Sequence, residues 1–320
     1  MSVTYAEKSQ GAVKQSPSKN TLSMSTQRRR EAIAAYLFIA PAFILFLIFV
    51  AGPMLWSIGL SFFEWNIFTP PKFVALKNFT TLFNDARVLA SFRNSTIFVI
   101  AVVALDVVVA LGLAALLQRK MPAPLRYFFR TTFLLPVVTS MAAIAIVLSF
   151  MFDTQLGVIN YYLGQLGIAP VRWLNSSQWA LISLIIATIW KTFGFDLILF
   201  YAGMQNIPRH YYEAAAIDGA NGWQQFRHVT LPQLSPTIFF VVVIGIISHL
   251  QMFDQANIMT KGGPGNASTT VVMVIWDSLA SLKLGYGSSI ATVFFIIILI
   301  LTLIQFRISR RWVYYEGKED

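Results

Sequence analysis

The sequence contains no cysteine, and charged residues make up only 12% of its 320 residues. Without cysteine there is no disulfide framework, no thiolate metal site and no cysteine nucleophile. The charged fraction is about half of the roughly 25% that is usual in soluble domains. Hydrophobic residues account for 56% of the chain, and the core of a soluble protein of this length has no room for that excess. The composition therefore indicates a membrane protein.

Several catalytic patterns are also missing. The chain has no G-x-x-x-x-G-K-[ST] phosphate-binding loop, since its glycine cluster at 262–265 is followed by Asn266. It has no His-Glu-x-x-His zinc pattern and no Gly-x-Ser-x-Gly nucleophile pattern. We therefore expect no catalytic residue, no metal and no cofactor, and we expect any ATP hydrolysis to belong to a separate chain. The net charge of +10 does not indicate nucleic-acid binding, because the basic residues lie beside apolar segments.

Long, continuously apolar segments are abundant. Each is close to the roughly 20 residues that a helix needs to cross a hydrocarbon core of about 30 Å, and none alternates as barrel strands do. The sequence therefore predicts an all-α membrane protein with six transmembrane helices. The predicted spans are 34–60, 94–117, 131–152, 179–201, 236–258 and 287–305. A further apolar piece, 270–282, is interrupted by Asp277 and is too short to span.

Basic residues in the loops predict the orientation. With the N-terminus inside, the cytoplasmic segments hold 16 Lys and Arg residues and the external segments hold 7. Both termini are therefore predicted to be cytoplasmic. Residues 1–30 are polar and are predicted to form a disordered N-terminal tail. Residues 31–312 then form the transmembrane domain, and 313–320 form a cytoplasmic C-terminal tail.

The loop between the fourth and fifth spans, residues 206–237, predicts two short helices. Asn206 can cap a helix, and Pro208 suits its first turn. Gly219 offers the left-handed residue that ends a helix. Asn221 and Gln224 have the spacing of a capping box at the start of a second helix. Pro232 is predicted to break that second helix, and Pro236 to open the fifth span.

The same loop has two interpretations when only its residues are considered. It can be an ordinary amphipathic surface loop. It can also be a docking element, because its alanines allow a helix to approach a partner closely, with Glu213 as a fixed charge. The apolar anchors for such docking are Tyr211, Tyr212, Ile217 and Trp223.

A resemblance to a known family favours docking. The loop resembles the EAA motif of permease subunits of ABC importers, in which two paired helices form a coupling helix that sits in a cleft of the ATPase subunit. The resemblance implies that residues 208–232 are this coupling loop and that the chain itself breaks no ATP. The matching residues are Glu213, Ala214, Ala215, Asp218, Gly219, Ala220, Phe226, Val229, Leu231 and Pro232.

A second segment narrows the resemblance. Residues 260–264, T-K-G-G-P, followed by Ser268 and Thr269, are similar to a pattern after the fifth span of sugar permeases. Taken alone, the glycines and the proline indicate only a tight turn. The resemblance implies a bacterial or archaeal cytoplasmic membrane, a second permease subunit, two ATP-binding cassette subunits, an external solute-binding protein and a sugar substrate. It does not indicate which sugar is carried.

Polar residues inside the spans are the candidates for a solute pathway, because such groups face a bundle interior or a cavity. Asp106 can serve either as a buried interhelical contact or in the pathway. Lys191 and Asp196 are predicted to contact other helices rather than each other. In the fifth span, Gln251, Asp254 and Gln255 share one face of a continuous helix, and packing against a partner helix is the alternative for this face. The predicted substrate residues are Gln251, Asp254, Gln255 and Asn257.

The main alternative function is a secondary transporter or channel for a polar solute. Such proteins often show inverted repeats and broken helices in matching halves, and neither is evident in the sequence. A secondary transporter also has no use for a loop of the Glu213 type.

Overall fold

Helices form nearly all of the regular structure in the computed structural model, which describes residues 24–119 and 121–314. The chain divides into two units, residues 1–56 and residues 57–320. Most of the predicted disordered tail lies outside the described residues, as do residues 315–320. The first helix, however, begins at Met24, so residues 24–30 of the predicted tail are helical. Gln and Arg are good helix formers, which lets the helix extend beyond the apolar run.

The described part of the first unit is helical. Helix α1 (Met24–Phe46) continues through a π-helical turn (Leu47–Ala51) into α2 (Gly52–Leu60). Together they give a candidate span of 33 residues, Arg28–Leu60. No residue in its most apolar window is buried within the chain. This agrees with the predicted first span.

The second unit contains the other helices and one two-stranded hairpin, in which Phe63 of β1 lies opposite Phe73 of β2. Its elements are β1 (Phe63–Glu64), β2 (Lys72–Phe73), α3 (Lys77–Asn84), α4 (Ala86–Gln118), α5 (Ala123–Val138), α6 (Met141–Met151), α7 (Val158–Gln165), α8 (Ala180–Gln205), α9 (Arg209–Ile217), α10 (Gly222–Gln225), α11 (Leu231–Leu250), α12 (Val271–Ala280) and α13 (Leu284–Ser309).

The predicted third span, 131–152, is not one straight helix. Its place is taken by α5 and α6, which meet at an angle of 100°. Pro136 lies in the last turn of α5 and cannot donate a backbone hydrogen bond there. Thr139 and Ser140 then adopt extended conformations. The described residues thus contain five helices that are long and apolar enough to span, or six spans if the bent pair counts as one.

The predicted fifth span, 236–258, is wrong at both ends. Helical structure is continuous from Gly222 to Leu250, so Pro232 does not break the second loop helix. A π-helical turn, Phe226–Thr230, directly precedes this proline, and the Leu231 N–H donates to the Phe226 carbonyl. The widened turn changes the hydrogen-bond register, which accommodates a residue that lacks an N–H. Beyond Leu250 the helix is interrupted at residues 251–253.

The core lies around α4, which packs against α8 and α11. One buried cluster surrounds Phe98, Leu184 and Met252, and a second surrounds Phe200 and Leu234. At most 39% of the most apolar window of any long helix is buried within the chain. The remaining apolar surface needs apolar surroundings, which agrees with a multi-pass membrane protein.

The loops gather at two ends of the second unit. At one end, the Tyr286 hydroxyl donates to Asp85 Oδ2 over 2.8 Å, and Arg87 forms an ion pair with Asp277. At the other end, the Tyr314 N–H donates to Ser235 Oγ over 2.9 Å. The first end thus joins two loops that were predicted to be external, 60–94 and 258–287. The second joins the 206–237 loop to the C-terminal tail, both of which were predicted to be cytoplasmic.

Candidate functional site

The first half of the 206–237 loop is the helix α9. It ends in a Schellman motif, in which the Ala220 N–H donates to the Ala215 carbonyl over 2.9 Å and the Gly219 N–H donates to the Ala216 carbonyl over 3.1 Å. Gly219 has a φ of +81°, so the predicted left-handed helix end is confirmed. The predicted start is displaced, since Pro208 caps α9 and Asn206 instead ends α8.

The second half of the loop begins with the predicted capping box. Asn221 Oδ1 accepts from the Gln224 N–H over 3.0 Å, and Gln224 Oε1 accepts from the Asn221 N–H over 2.7 Å. These bonds start α10, which continues through the π-helical turn into α11. The loop is therefore the rigid start of the long helix that follows it.

Side-chain contacts hold the two halves together. The Tyr212 and Thr230 hydroxyls are 3.0 Å apart and hydrogen-bonded, and Gln225 Nε2 donates to the Ala220 carbonyl over 3.2 Å. The rings of Trp223 and Phe226 stack at 5.6 Å between centroids, and Phe226 packs against the second buried cluster. The loop is thus anchored by Tyr212 and Phe226, while Trp223 remains on its outer surface.

The outer surface of this loop is apolar where it is most exposed. The Ile217 side chain is 87% exposed and that of Trp223 is 67% exposed. The two side chains form a small apolar patch on the outside of the loop. The other predicted loop residues are on or beside this surface. Glu213, Ala214, Asp218, Gly219 and Pro232 are exposed, while Ala215, Ala220 and Leu231 are half-buried.

A polar cavity of about 470 Å³ lies near the end of α11 and against α8. It brings together Gln251, Asp254 and Gln255, three of the four predicted substrate residues. The sequence predicted that they share one face of an uninterrupted helix. In the structure the helix is interrupted at residues 251–253, and they meet around this interruption. Asn257 is exposed and is not among the residues that line this cavity.

The predicted residues differ in how free they are. Gln251 and Asp254 are exposed. Gln255 is only 7% exposed, and its Nε2 donates to Thr188 Oγ1 over 3.1 Å. Gln255 therefore combines a place in the cavity wall with the alternative role, a contact with a partner helix.

A second cavity of about 190 Å³ has the charged residues Asp106, Lys191 and Asp196 of α4 and α8 in its lining, beside apolar residues of α8 and α11. Asp106 is 1% exposed, and its Oδ2 accepts from Thr192 Oγ1 over 2.8 Å. Lys191 Nζ donates to the Val137 carbonyl over 2.9 Å, at the bend between α5 and α6. Asp106 and Lys191 thus contact other helices, as predicted for Lys191.

Some lining residues were not found from the sequence. Thr188 and Thr192 face the cavities from α8, and Ser248 faces them from α11. Short hydroxyl residues are common in membrane helices, where they bond to their own backbone. The available signal was their spacing. Thr188 and Thr192 are four residues apart, so they lie on one face of α8, beside Lys191.

The turn after the fifth span buries its hydroxyl residues, Ser268, Thr269 and Thr270, while residues 264–266 at its tip are exposed. Ser268 Oγ lies 2.8 Å from Thr260 Oγ1 and 2.7 Å from the Gly263 carbonyl oxygen, and Thr269 Oγ1 donates to the Gly262 carbonyl over 3.0 Å. Asn94 Nδ2 of α4 donates to the carbonyl oxygens of residues 266 and 269, over 2.7 and 3.1 Å. The T-K-G-G-P segment is therefore an internally bonded turn that is fixed to α4.

A third cavity lies at the same end of the second unit. Its volume is about 820 Å³, and residues 64–85 and 281–286 contribute to its lining. Its charged residues include Glu64, Lys77 and Lys283, of which Lys77 and Glu64 form an ion pair over 3.2 Å. This cavity is larger than the two cavities between the helices.

These features define a helical membrane subunit with an exposed apolar loop at one end and polar cavities between its helices. A family model described as "Binding-protein-dependent transport system inner membrane component" matches residues 106–314. The chain belongs to this family. Its members are membrane permease subunits of ABC importers, in which a separate subunit carries the ATPase.

Individual proteins are similar over nearly the whole chain. The lactose transport system permease protein LacF of Rhizobium radiobacter is 34% identical over 91% of this chain and 98% of its own length. The sulfoquinovosyl glycerol transport system permease protein SmoG of Agrobacterium fabrum is 33% identical over 88% and 91%. A crystal structure of a bacterial ABC transporter for the acidic polysaccharide alginate has the same fold, with a TM-score of 0.79 at 24% identity, over 90% of this chain and 99% of its own.

Proposed function

We propose that this permease subunit forms half of a translocation pathway for a sugar or sugar-like solute. The polar cavity beside α8 and α11 carries the proposal, because it presents both hydrogen-bond donors and acceptors between membrane helices. The names of the relatives LacF and SmoG, for lactose and for sulfoquinovosyl glycerol, support a sugar as the solute. A second permease subunit would supply the other half of the pathway.

Uptake into vesicles tests this function. We expect labelled sugar to accumulate in vesicles that contain the complete importer and ATP. Vesicles that lack the ATPase subunits should accumulate none. Equal uptake without the ATPase subunits would instead favour the secondary transporter or channel.

We further propose that α9 and α10 are the coupling helices and dock in the ATPase subunit. The exposure of Ile217 and Trp223 supports this, since both would be covered by a partner. We expect Glu213→Ala and Gly219→Pro to leave the chain inserted but to abolish uptake. Proline cannot adopt the positive φ of Gly219. Normal uptake in both variants would remove the docking role.

The proposed orientation has both termini in the cytoplasm. The gathering of the predicted cytoplasmic loops at one end of the second unit supports it. We expect tags at residues 10 and 318 to be protected from an external protease, and a tag near Asn175 to be cleaved. Cleavage of the C-terminal tag would show that the number of crossings is not six.

We propose that Gln251, Asp254 and Gln255 contact the solute in the pathway. Removing a polar group that binds a sugar hydroxyl leaves that hydroxyl unpaired, which costs about 1–3 kcal/mol. Gln251→Ala removes such a group, and Asp254→Asn replaces one of two acceptor oxygens by a donor, so both should raise the sugar concentration for half-maximal uptake by about tenfold. Gln255→Ala should also weaken assembly, because Gln255 bonds to Thr188. Unchanged half-maximal concentrations in the first two variants would place the pathway elsewhere.

The external solute-binding protein is proposed to dock over the 820 Å³ cavity. The family description names transport that depends on such a protein, and this cavity is formed by the predicted external loops. We expect Lys77→Glu together with Lys283→Glu to weaken the association of the binding protein without affecting that of the ATPase subunit. Unchanged association of the binding protein would exclude this docking site.

A further inference from the structure

The two cavities between the helices are adjacent and share polar residues. Lys191, Thr192, Ser248 and His249 line both of them. The wider cavity extends from these residues to Asp254 and Gln255, and the narrower one extends to Asp106 and Asp196. A solute that moves along α8 and α11 would meet both sets of groups in turn.

The charged side chains of this space are mostly acidic. Three carboxyl groups line it, those of Asp106, Asp196 and Asp254, against a single ammonium group, that of Lys191. Lys191 already donates a hydrogen bond to the Val137 carbonyl at the α5–α6 bend. A cavity with low-dielectric walls focuses the field of its charges. Asp106 and Asp196 lie against each other and share a proton, so together they contribute about one negative charge. With Asp254 added and Lys191 set against them, the space keeps a net negative charge, which disfavours a solute that carries a negative charge.

Asp106 and Asp254 take part in this space in different ways. The Asp106 side chain is 1% exposed, its Oδ2 accepts from Thr192, and its carboxyl group lies against that of Asp196. Among the residues that the structure describes, no group of three His or acidic side chains could hold a metal ion. The Asp254 carboxyl group is exposed in the wall of the wider cavity and is suited to an O–H donor, which a neutral polyhydroxyl solute supplies. A carboxylate, sulfonate or phosphate brings only further acceptors and negative charge.

We infer that the pathway admits uncharged polyhydroxyl solutes and rejects acidic ones, with Asp106, Asp196 and Asp254 as the residues that determine this specificity. The inference rests on the proposed function, because it takes the two cavities as the route of the solute. The fold alone does not carry it, since the alginate transporter that shares this fold imports an acidic polysaccharide.

Charged thiol reagents measure the sign of the field directly, because the natural chain has no cysteine. Ser248→Cys places a thiol where the two cavities meet, and Ser177→Cys, an exposed serine of the loop before α8, is the matched control. In the assembled importer, both variants would be treated with a cationic, an anionic and a neutral methanethiosulfonate. Mass spectrometry of this chain then gives the modification rates.

We expect the ratio of cationic to anionic rates to be about tenfold higher at Ser248→Cys than at Ser177→Cys. Adding Asp106→Asn and Asp196→Asn should lower the ratio several-fold at Ser248→Cys and leave it unchanged at Ser177→Cys. If that combination prevents assembly, Asp254→Asn gives the same comparison at an exposed position.

The outcomes separate the inference from the function on which it rests. Modification of Ser248→Cys by the neutral reagent, with a charge ratio equal to the control or insensitive to the Asp→Asn changes, would overturn the specificity and leave the pathway in place. Failure of every reagent to reach Ser248→Cys, with and without ATP, would overturn the pathway and the specificity together.

Discussion

The loop before the fifth span and the turn after it differ in what their polar groups bond to. The loop keeps its polar bonds local, in the Schellman motif and the capping box, and leaves Ile217 and Trp223 exposed. The turn uses its hydroxyls and carbonyls on itself and on Asn94 of α4, and Ser268, Thr269 and Thr270 are at most 2% exposed. Both segments match family patterns. The patterned loop leaves apolar side chains exposed, whereas the patterned turn buries its hydroxyl groups.

This difference shows that a family pattern does not by itself identify a contact site. In the loop, the patterned residues fix the backbone so that apolar side chains point outward. In the turn, they satisfy buried polar groups, whose loss would cost about 1–3 kcal/mol each. Substitutions in the two segments should therefore have different consequences, the first on partner binding and the second on stability.

The largest effect should come from the exposed pair of the loop. We expect Ile217→Ser together with Trp223→Ser to abolish co-purification of the ATPase subunit and to reduce uptake to background, because the contact surface is lost. Thermal unfolding of the subunit itself should not change, since neither side chain is buried. Leu156→Ser is the control, because Leu156 is 90% exposed but lies outside the loop. Retained co-purification in the double variant would contradict the contrast.

The next largest effect compares two glycines that have nearly the same backbone. Gly219 and Gly262 have φ values of +81° and +79°. An added Cβ at Gly219 meets nothing within 4 Å, whereas at Gly262 it would lie 2.7 Å from Thr269 Oγ1. Alanine at either position costs about 1–2 kcal/mol for the left-handed conformation. At Gly262, overpacking should add about 1–3 kcal/mol.

Thermal unfolding of Gly219→Ala and Gly262→Ala in the same detergent measures this difference. Gly262→Ala should unfold at the lower temperature. Equal unfolding temperatures would mean that the turn adjusts freely, and the contrast with the loop would then be lost.

A smaller effect is expected from the side chain that fixes the turn. Asn94→Ala leaves the carbonyl oxygens of residues 266 and 269 without this donor, at a cost of about 1–3 kcal/mol. Asn84→Ala is matched to it, because Asn84 makes only a local, exposed bond to the Thr80 carbonyl. Chemical denaturation should separate the two variants, and ATPase-subunit binding should be normal in both. Equal stability of the two variants would show that the turn does not depend on α4.

The smallest effect concerns an exposed turn that depends on charge rather than burial. Asp153 Oδ1 accepts from the N–H groups of Leu156 and Gln155, each over 2.8 Å, and these bonds hold the pKa of the carboxyl below its ordinary value. The stabilisation is thus present above the ordinary pKa and is lost as pH falls through the lowered one, below about pH 4. The gap in Tm between the natural chain and Asp153→Asn should close over that range. A gap independent of pH would show that the charge contributes nothing.

The sequence predicted the fold well where the signal was long and local. Hydropathy located α4, α8 and α13, and cap chemistry at Gly219 and Asn221 located the ends of the loop helices. It did not predict the 100° bend between α5 and α6, because hydropathy runs unchanged through Pro136, Thr139 and Ser140, where the helix breaks. The bond from Lys191 of α8 to the Val137 carbonyl at this bend is a tertiary contact that the local sequence does not contain.

The cavity was only partly predictable for a related reason. Gln251, Asp254 and Gln255 were found as polar residues in an apolar setting, but their grouping was attributed to helical spacing. The helix is in fact interrupted there, and a tertiary bond from Gln255 to Thr188 decides which side chain is free. The prediction that Pro232 breaks the helix failed for a local reason. A π-helical turn accommodates this proline, which normally stops a helix.

The uninterrupted helix from Gly222 to Leu250 is also a mechanical element. Its 29 residues make a rod of about 44 Å. One end carries the exposed tryptophan of the loop, and the other reaches Ser248 and His249 beside the polar cavities. A rod of that length turns a tilt of about 5° at one end into a displacement of about 4 Å at the other. A movement at Trp223 would therefore be carried to the cavity wall along one helix, in which the π-helical turn and the prolines at 232 and 236 are the points where it can bend.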